Sequence, residues 1–261
     1  MAGQLVTRRE GTTGVIVFSN VERHNAVNYE MWVALPKAVE AFNADPAVRA
    51  ILVTGDGDKA FISGADISEF EKRRGSADAS AEYNRAGDVA ANTLAASRKP
   101  TIAKIRGICF GGGVGIALCC HMRIASDDAR FCVPAARLGL GYAYPGLKRL
   151  IDVVGPAYAA EIFATARRYP AAEALQMRLV NRVVPVAELD KLADEYLTQI
   201  GDNAPLTVAA ALSAIREAMK PSVERNLAAV QAQVDGCFAS EDYIEGRRAF
   251  MEKRKPEFKG R

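Results

Sequence analysis

Histidine and tryptophan are scarce in this 261-residue chain, which has two of the first and one of the second. Its five cysteines are scattered and form no Cys-x-x-Cys pair. Because zinc sites draw on closely spaced cysteines and histidines, we expect no metal. An odd number of dispersed cysteines also argues against a disulfide framework and predicts reduced thiols.

Neither sign of charge dominates, because the chain has 34 lysines and arginines and 31 acidic residues, which gives a net charge of +3. Such a balance predicts neither nucleic acid nor a membrane surface as a partner. No apolar run reaches the ~18 residues of a membrane span. The N-terminal MAGQLVTRREG has no apolar segment behind its charges, so we expect no secretory signal. The absences together predict a cytoplasmic globular protein.

No linker rich in proline, glycine or serine divides the chain, so we expect one continuous core. The first half alternates β-branched segments with helical spacing, in the order strand, strand, helix about three times. It begins with a predicted hairpin of Leu5–Arg9 and Val15–Phe18, then a helix capped by Asn28. This repeat predicts an α/β fold of stacked ββα units. Beyond Gly146 the spacing is mostly helical, including Ser222–Cys237, which fits core packing, a subunit interface, or both.

A glycine-rich run, Gly107-Ile-Cys-Phe-Gly-Gly-Gly-Val-Gly115, lies between a predicted strand and a predicted helix. Glycine lets the backbone approach a ligand closely, and a helix N-terminus offers free N–H groups. Three roles are open: holding a phosphate, holding a developing oxyanion, or forming a tight turn. The spacing matches neither the Gly-x-Gly-x-x-Gly fingerprint nor a phosphate loop ending in Gly-Lys-Ser/Thr. A nicotinamide dehydrogenase is therefore disfavoured.

A second loop, Lys59-Ala-Phe-Ile-Ser-Gly-Ala-Asp-Ile67, also passes through glycine toward a predicted helix start near Ala65. Two such turns can point two backbone N–H groups at one oxygen atom, which stabilises an enolate or a tetrahedral oxyanion. Asp66 is better explained as a helix cap than as a catalytic acid. The pair of loops favours the oxyanion interpretation.

Several motifs, taken in order, resemble the crotonase (enoyl-CoA hydratase/isomerase) superfamily. They are Arg23-His-Asn-Ala26, Phe61-Ile-Ser-Gly-Ala-Asp-Ile67, Gly107-Ile-Cys-Phe-Gly-Gly-Gly113, Leu138-Gly139 and Ala249-Phe250-Met-Glu-Lys-Arg254. The resemblance spans nearly the whole chain, and the paired loops are more specific than any single motif.

The resemblance implies a crotonase-like spiral of ββα units over residues 1–200 and a helical C-terminal trimerisation region over residues 201–261. It implies an acyl-CoA substrate, with coenzyme A as part of the thioester and no prosthetic group. The implied assembly is a homotrimer or a dimer of trimers.

In this family two backbone N–H groups hold the thioester carbonyl, and these fall on Ala65 and Gly112. The resemblance places CoA and the acyl group along a further set of residues: Arg23, Asn25, Ala26, Ser63, Gly64, Asp66, Ile67, Ser68, Gly111, Ala135, Phe250 and Lys253. Phe250 and Lys253 are expected at the nucleotide end, in some members across a subunit boundary.

Two positions depart from the family pattern. The glutamates that position water and carry the proton in its hydratases fall on Gly115 and Ala135, and neither residue can accept a proton. Tyr142 lies where methylmalonyl-CoA decarboxylases of the superfamily also have a tyrosine, although their histidine falls on Ala65. For Tyr142 we weigh lining of the acyl pocket, which we favour, against acid catalysis. Glu69 is a further candidate base.

The sequence thus predicts an acyl-CoA enzyme that stabilises a thioester enolate in a backbone oxyanion hole. Hydratase/lyase is the first hypothesis. The alternative is decarboxylation, or C–C or thioester cleavage, because loss of CO2 delivers the enolate without a base. A catalytically idle CoA-binding protein is a third hypothesis.

Overall fold

The computed structural model describes residues 3–66 and 77–261, with only the backbone described for residues 77–80. The strands in this part are Gln4–Glu10 (β1), Thr13–Ser19 (β2), Ala50–Gly55 (β3), Ala60–Ile62 (β4), Thr101–Ile105 (β5), Ile108–Phe110 (β6), Met122–Ser126 (β7), Arg130–Cys132 (β8), Tyr169–Pro170 (β9) and Arg182–Val184 (β10). The α-helices are Tyr29–Ala44 (α1), Ala77–Ala95 (α2), Gly112–Cys119 (α3), Tyr144–Thr165 (α4), Ala171–Gln176 (α5), Leu189–Asp202 (α6), Pro205–Ala218 (α7), Leu227–Phe238 (α8) and Glu241–Glu252 (α9).

The strands form two sheets, and the repeated strand pairs contribute to both. A six-stranded sheet has the order β1-β2-β3-β5-β7-β10, and a four-stranded sheet has the order β4-β6-β8-β9. The pairs β3/β4, β5/β6 and β7/β8 each give one strand to each sheet. The neighbours β3, β5 and β7 are parallel, as are β4, β6 and β8. This arrangement confirms the predicted α/β fold of ββα units.

Local signals placed several elements correctly. β1 and β2 form the predicted antiparallel hairpin. Asn28 caps α1, because its side chain accepts a hydrogen bond of 2.9 Å from the Met31 N–H. Gly155 breaks α4 with a φ of 78°, directly before Pro156, where two separate helices are predicted from the spacing.

Other boundaries differ from the prediction. β4 lies inside a segment predicted as a loop, and β6 lies inside the predicted glycine turn. Each has only three residues, too few for a periodic pattern to register. The helix predicted to start at Ser222 starts at Leu227, because Asn226 caps it there by accepting a hydrogen bond from the Ala229 N–H.

The core fills both faces of the six-stranded sheet. On one face Ile16, Phe18 and Ile51 pack toward α1 and the four-stranded sheet, within one large apolar cluster. On the other face Leu52, Ile102 and Ile124, on β3, β5 and β7, form a smaller cluster with Leu189 and Ala193 of α6. Burial of both faces is typical of parallel strands covered by helices.

The C-terminal helices α7, α8 and α9 expose many apolar side chains. They surround a cavity of about 960 Å³ lined mainly by aliphatic and aromatic groups. Large side chains on the surface of this part of the chain are Ile215, Met219, Leu227, Phe238, Tyr243, Ile244, Phe250 and Met251. Across the described residues, the helices are too short or too polar to span a bilayer.

Candidate active site

The two glycine-bearing loops meet at one pocket of about 500 Å³. They meet because β4 and β6 are parallel neighbours, so that the chain leaves both strands at the same edge of the sheet. Ser63, Gly64 and Ala65 follow β4, and Gly111 and Gly112 follow β6. All five line the pocket.

The amides of Ala65 and Gly112 lie close together on the pocket wall. A Cβ built on Gly112 would lie 3.6 Å from the Ala65 nitrogen, and one built on Gly64 would lie 3.9 Å from the Gly112 nitrogen. Within the described part of the chain, neither N–H donates a hydrogen bond to a protein acceptor. Half-buried amides are normally paired, so this wall can accept an oxygen atom of a ligand.

The backbone around these amides is held firmly. Gly111 has a φ of 50°, and its N–H donates a 2.8 Å hydrogen bond to the Cys132 carbonyl. Gly64 has a φ of 124°, a conformation that L side chains rarely adopt. The Gly64 carbonyl accepts a hydrogen bond from Val27 N–H, and the Asp66 N–H donates to the Val27 carbonyl. Both amides therefore keep their direction without a ligand.

The segment predicted to contact CoA at Arg23–Ala26 lies beside the first loop. Arg23 forms an ion pair of 2.8 Å with Asp66, and the Ser63 hydroxyl donates to the Arg23 carbonyl at 3.0 Å. Asn25 is only 1% exposed, and its side-chain amide donates to the carbonyls of Asp56 and Ala60. A ligand at this segment would therefore meet the backbone of Asn25 rather than its side chain.

Gly115 and Ala135, the residues on which the family resemblance places the two glutamates, both line the pocket. A Cβ built on Gly115 would first meet the Tyr142 hydroxyl, at 3.8 Å. Tyr142 thus reaches from α4's N-terminal side to the place where a longer side chain on α3 would point. Its ring packs edge-on against Phe163, with 4.8 Å between the ring centroids.

Tyr142 is 37% exposed, but its hydroxyl end lies inside the pocket. Burial there raises the pKa of the phenol, and Cys119 nearby raises it further, while the positive charge of Arg149 opposes the shift. The hydroxyl is consequently protonated at neutral pH. It can donate a hydrogen bond or a proton to a group held at Ala65 and Gly112.

Among the pocket residues that sequence reasoning missed are Trp32, Tyr83, Asp88 and Arg149. Trp32 on α1 donates a 3.0 Å hydrogen bond to the Tyr83 hydroxyl on α2, which fixes both rings. Asp88 on α2 adds a negative charge to the lining of the pocket, and Arg149 on α4 adds a positive charge. No local motif marks these residues, because each lies in an ordinary helical pattern far from the glycine loops in sequence.

Two predicted C-terminal residues lie elsewhere in this single chain. Phe250 on α9 lines the apolar cavity of the C-terminal helices, which shares no lining residue with the acyl pocket. Lys253 ends α9 in a left-handed conformation. Ile67, Ser68 and the candidate base Glu69 lie outside the described residues.

The cysteines near the pocket are poor nucleophiles. Burial raises the pKa of Cys109 far above its usual range, and raises that of Cys119 to about 11. Both thiols therefore stay protonated at neutral pH. In the described portion of the chain, histidine, cysteine and acidic residues form no group of three that could hold a metal ion.

The ββα units and the two sheets give this protein the crotonase fold, with two unpaired amides on the wall of one pocket. Over residues 8–261 the chain matches the family model of enoyl-CoA hydratase/isomerase. The chain belongs to this family, whose members act on CoA thioesters.

Individual relatives agree with that assignment. The chain is 34% identical over 255 residues to a crotonyl-CoA hydratase from Syntrophomonas wolfei, covering 97% of each. It is 36% identical over 241 residues to a carnitinyl-CoA dehydratase from Proteus mirabilis, covering 91% of each. The crystal structure of an enoyl-CoA hydratase/isomerase family protein from Hyphomonas neptunium superposes with a TM-score of 0.93 at 34% identity, covering 98% of each chain.

Proposed function

We propose that this protein binds an acyl-CoA thioester and stabilises its enolate with the N–H groups of Ala65 and Gly112. The observation that carries this proposal is the pair of facing, unpaired amides on one pocket wall. Charge develops on the thioester oxygen as the enolate forms, so two preorganised donors bind the transition state better than the substrate. Hydratase/lyase chemistry is the first candidate, since relatives are named as hydratases and a dehydratase.

Coenzyme A is proposed to approach along Arg23, Ala26 and Ser63, beside the first loop. The Arg23–Asp66 ion pair and the Ser63 hydrogen bond hold this edge in place. Phe250 and Lys253 would contact the nucleotide end only if a second copy of the chain brings them there, because in one chain Phe250 lines a separate cavity.

Decarboxylation is the second candidate, and it is favoured by Gly115 and Ala135. A malonyl-type thioester loses CO2 by breaking its Cα–carboxyl bond, and the electron pair moves through Cα to the thioester oxygen. No base is needed for that step. The enolate then takes a proton at Cα, and the Tyr142 hydroxyl above Gly115 is the donor the pocket offers.

A substrate comparison separates the two candidates. Purified protein is given crotonyl-CoA, followed by the loss of enoyl-thioester absorbance, and separately malonyl-CoA and methylmalonyl-CoA, followed by CO2 release. Rapid hydration of crotonyl-CoA would support the hydratase and show that a group outside the two glutamate positions activates water. CO2 release without hydration would support the decarboxylase.

The oxyanion hole is tested by removing one N–H. Gly112 is the first residue of α3, where proline is tolerated, so Gly112→Pro deletes the donor while keeping the helix. We expect turnover to fall by about 10²–10³-fold. Gly112→Ala is the matched control, since its Cβ meets nothing closer than 3.6 Å and the N–H remains. Equal losses in both variants would show that the space at Gly112, and not the donor, matters.

A further inference from the structure

We propose that Arg149 and the Tyr142 hydroxyl form a carboxylate subsite in the acyl pocket, so that the acyl group of the substrate carries a free carboxylate. This assignment rests on the proposed acyl-CoA function and adds the substrate class to it. Short dicarboxylic monothioesters, of which malonyl-CoA and succinyl-CoA are examples, have this chemistry.

Arg149 brings a positive charge to the reaction pocket. It lies in the second turn of α4 and lines the same pocket as Ala65, Gly112 and Tyr142. It is close enough to Tyr142 and Cys119 to oppose the rise in pKa that burial causes in both groups. Arg149 and Tyr142 therefore line the same pocket, and the charge of Arg149 is felt at the Tyr142 hydroxyl.

The charge of Arg149 has no counterion within the described chain. Its Nη2 donates a 2.5 Å hydrogen bond to the amide oxygen of Asn92, which is neutral. Asp152, the acidic residue one turn further along α4, is held instead by Lys148 at 2.5 Å and 2.6 Å. No ion pair among the described residues includes Arg149. Arg149 is half-buried, and its remaining N–H donors match a bidentate carboxylate.

The described residues of the pocket wall give Arg149 no ion-pair partner. Gly115 and Ala135 line the pocket at the positions where the family pattern has two glutamates. Asp88 is the acidic residue among the described lining residues, and it forms no ion pair with Arg149. An acyl carboxylate would supply the missing negative charge, whereas the negative charge of Asp88 would repel that carboxylate. Neutralising Arg149 should therefore weaken binding of a carboxylate, and neutralising Asp88 should strengthen it.

Binding to the full-length protein, measured by isothermal titration calorimetry, tests the subsite. Malonyl-CoA is compared with the near-isosteric acetoacetyl-CoA, and succinyl-CoA with butyryl-CoA. Hydrogen bonds to charged groups are worth ~1.5–3 kcal/mol, so we expect each acid to bind about 10–100-fold more tightly than its neutral partner. Arg149→Gln should remove this preference without changing the affinity for acetoacetyl-CoA.

Three further variants make the result specific. Arg149→Lys should keep part of the preference, because it keeps the charge and loses the bidentate geometry. Asp88→Asn should strengthen binding of the acids. Lys148→Gln neutralises the neighbouring cation, which faces Asp152 outside the pocket, and should leave the preference unchanged. Circular dichroism of each variant verifies its fold.

Equal affinity of the wild-type protein for acids and neutral partners would overturn the subsite. So would an Arg149→Gln variant that weakens both classes alike, which is what a structural role predicts. A different result would contradict the proposed function, namely that the protein binds none of these thioesters more tightly than free CoA. Tight binding of acetoacetyl-CoA that Gly112→Pro weakens, with no advantage for the acids, would keep the function and remove the subsite.

Discussion

The glycines between Gly111 and Gly115 have different tasks, although they are identical residues in one run. Gly111 takes a positive φ that starts the turn into α3. A Cβ on Gly113 would lie 2.3 Å from the Ile62 carbonyl oxygen, so Gly113 lets α3 pack directly on β4. Gly112 exposes its N–H to the pocket, and Gly115 leaves room for the Tyr142 hydroxyl.

Gly113→Ala should therefore destabilise the protein, since backbone and not a flexible side chain blocks the new methyl group. Overpacking of this kind costs ~1–3 kcal/mol of unfolding free energy, measurable by urea denaturation. Gly115→Ala is the control, because its Cβ meets nothing closer than 3.8 Å. Similar stability of the two variants would contradict the assigned packing role.

The role of Tyr142 is open to a direct test. If its hydroxyl donates the proton, Tyr142→Phe should lower kcat by about 10²-fold or more while leaving the dissociation constant of a neutral acyl-CoA nearly unchanged. Phe163→Leu removes the ring that packs against Tyr142 but keeps the hydroxyl, so it serves as the control. An unchanged kcat in Tyr142→Phe would leave Tyr142 with the lining role alone.

At the scale of elements, the two three-residue strands β4 and β6 decide where the site forms. Their parallel pairing places Ala65 and Gly112 at one edge of the smaller sheet. β5 and β7 belong to the other sheet, and their junction with the end of α3 contains His121. The Nδ1 atom of His121 accepts from the Thr101 N–H at 3.1 Å and lies 2.8 Å from the Thr101 hydroxyl.

This junction should make the protein less stable in mild acid. Burial lowers the pKa of His121 to about 4, helped by Arg216 and Arg123. The unfolded chain takes up the proton more readily, so stability is complete above about pH 6.5 and is lost as the pH falls toward 4, by at most ~3 kcal/mol.

Urea unfolding between pH 7.5 and pH 4.5 measures this dependence. His121→Asn, which keeps an acceptor near Thr101, should flatten it, and His24→Asn, at an exposed position, should not. A wild-type slope that survives in His121→Asn would assign the acid sensitivity to other groups.

At the scale of the whole molecule, the helices α7, α8 and α9 leave many large apolar side chains exposed in the single chain, a pattern that marks interaction surfaces. Phe250 is 83% exposed and Met251 is 81% exposed. Such a surface suits the trimer or dimer of trimers expected from the family resemblance, and it would bring Phe250 and Lys253 of one copy toward another.

Light scattering of the purified protein should therefore give a mass three or six times that of one chain. Ile244→Lys and Phe250→Asp place charges in the apolar surface and should lower that mass, together with the affinity for CoA. Lys191→Gln, at an exposed position on α6, is a control that also changes the charge by one unit. A wild-type protein that is monomeric and binds acyl-CoA tightly would contradict the expected assembly and its role in CoA binding.

The sequence by itself determined features that depend on a few neighbouring residues. The β1–β2 hairpin, the Asn28 cap and the break at Gly155 follow from local turn chemistry and capping, which act within one or two turns of chain. The two glycine loops are also visible in the sequence, and the family resemblance points to Ala65 and Gly112 within them.

Only the tertiary structure decided which distant groups share the pocket. β4 and β6 are too short to show a period, and they exist because parallel neighbours complete their hydrogen bonds. Asp88 and Arg149 become pocket residues through the packing of α2 and α4, which no local pattern encodes. The approach of the Tyr142 hydroxyl to Gly115 likewise depends on contacts between elements far apart in the chain. Local preferences fix the individual elements, and long-range packing brings the charges of Asp88 and Arg149 to the pocket.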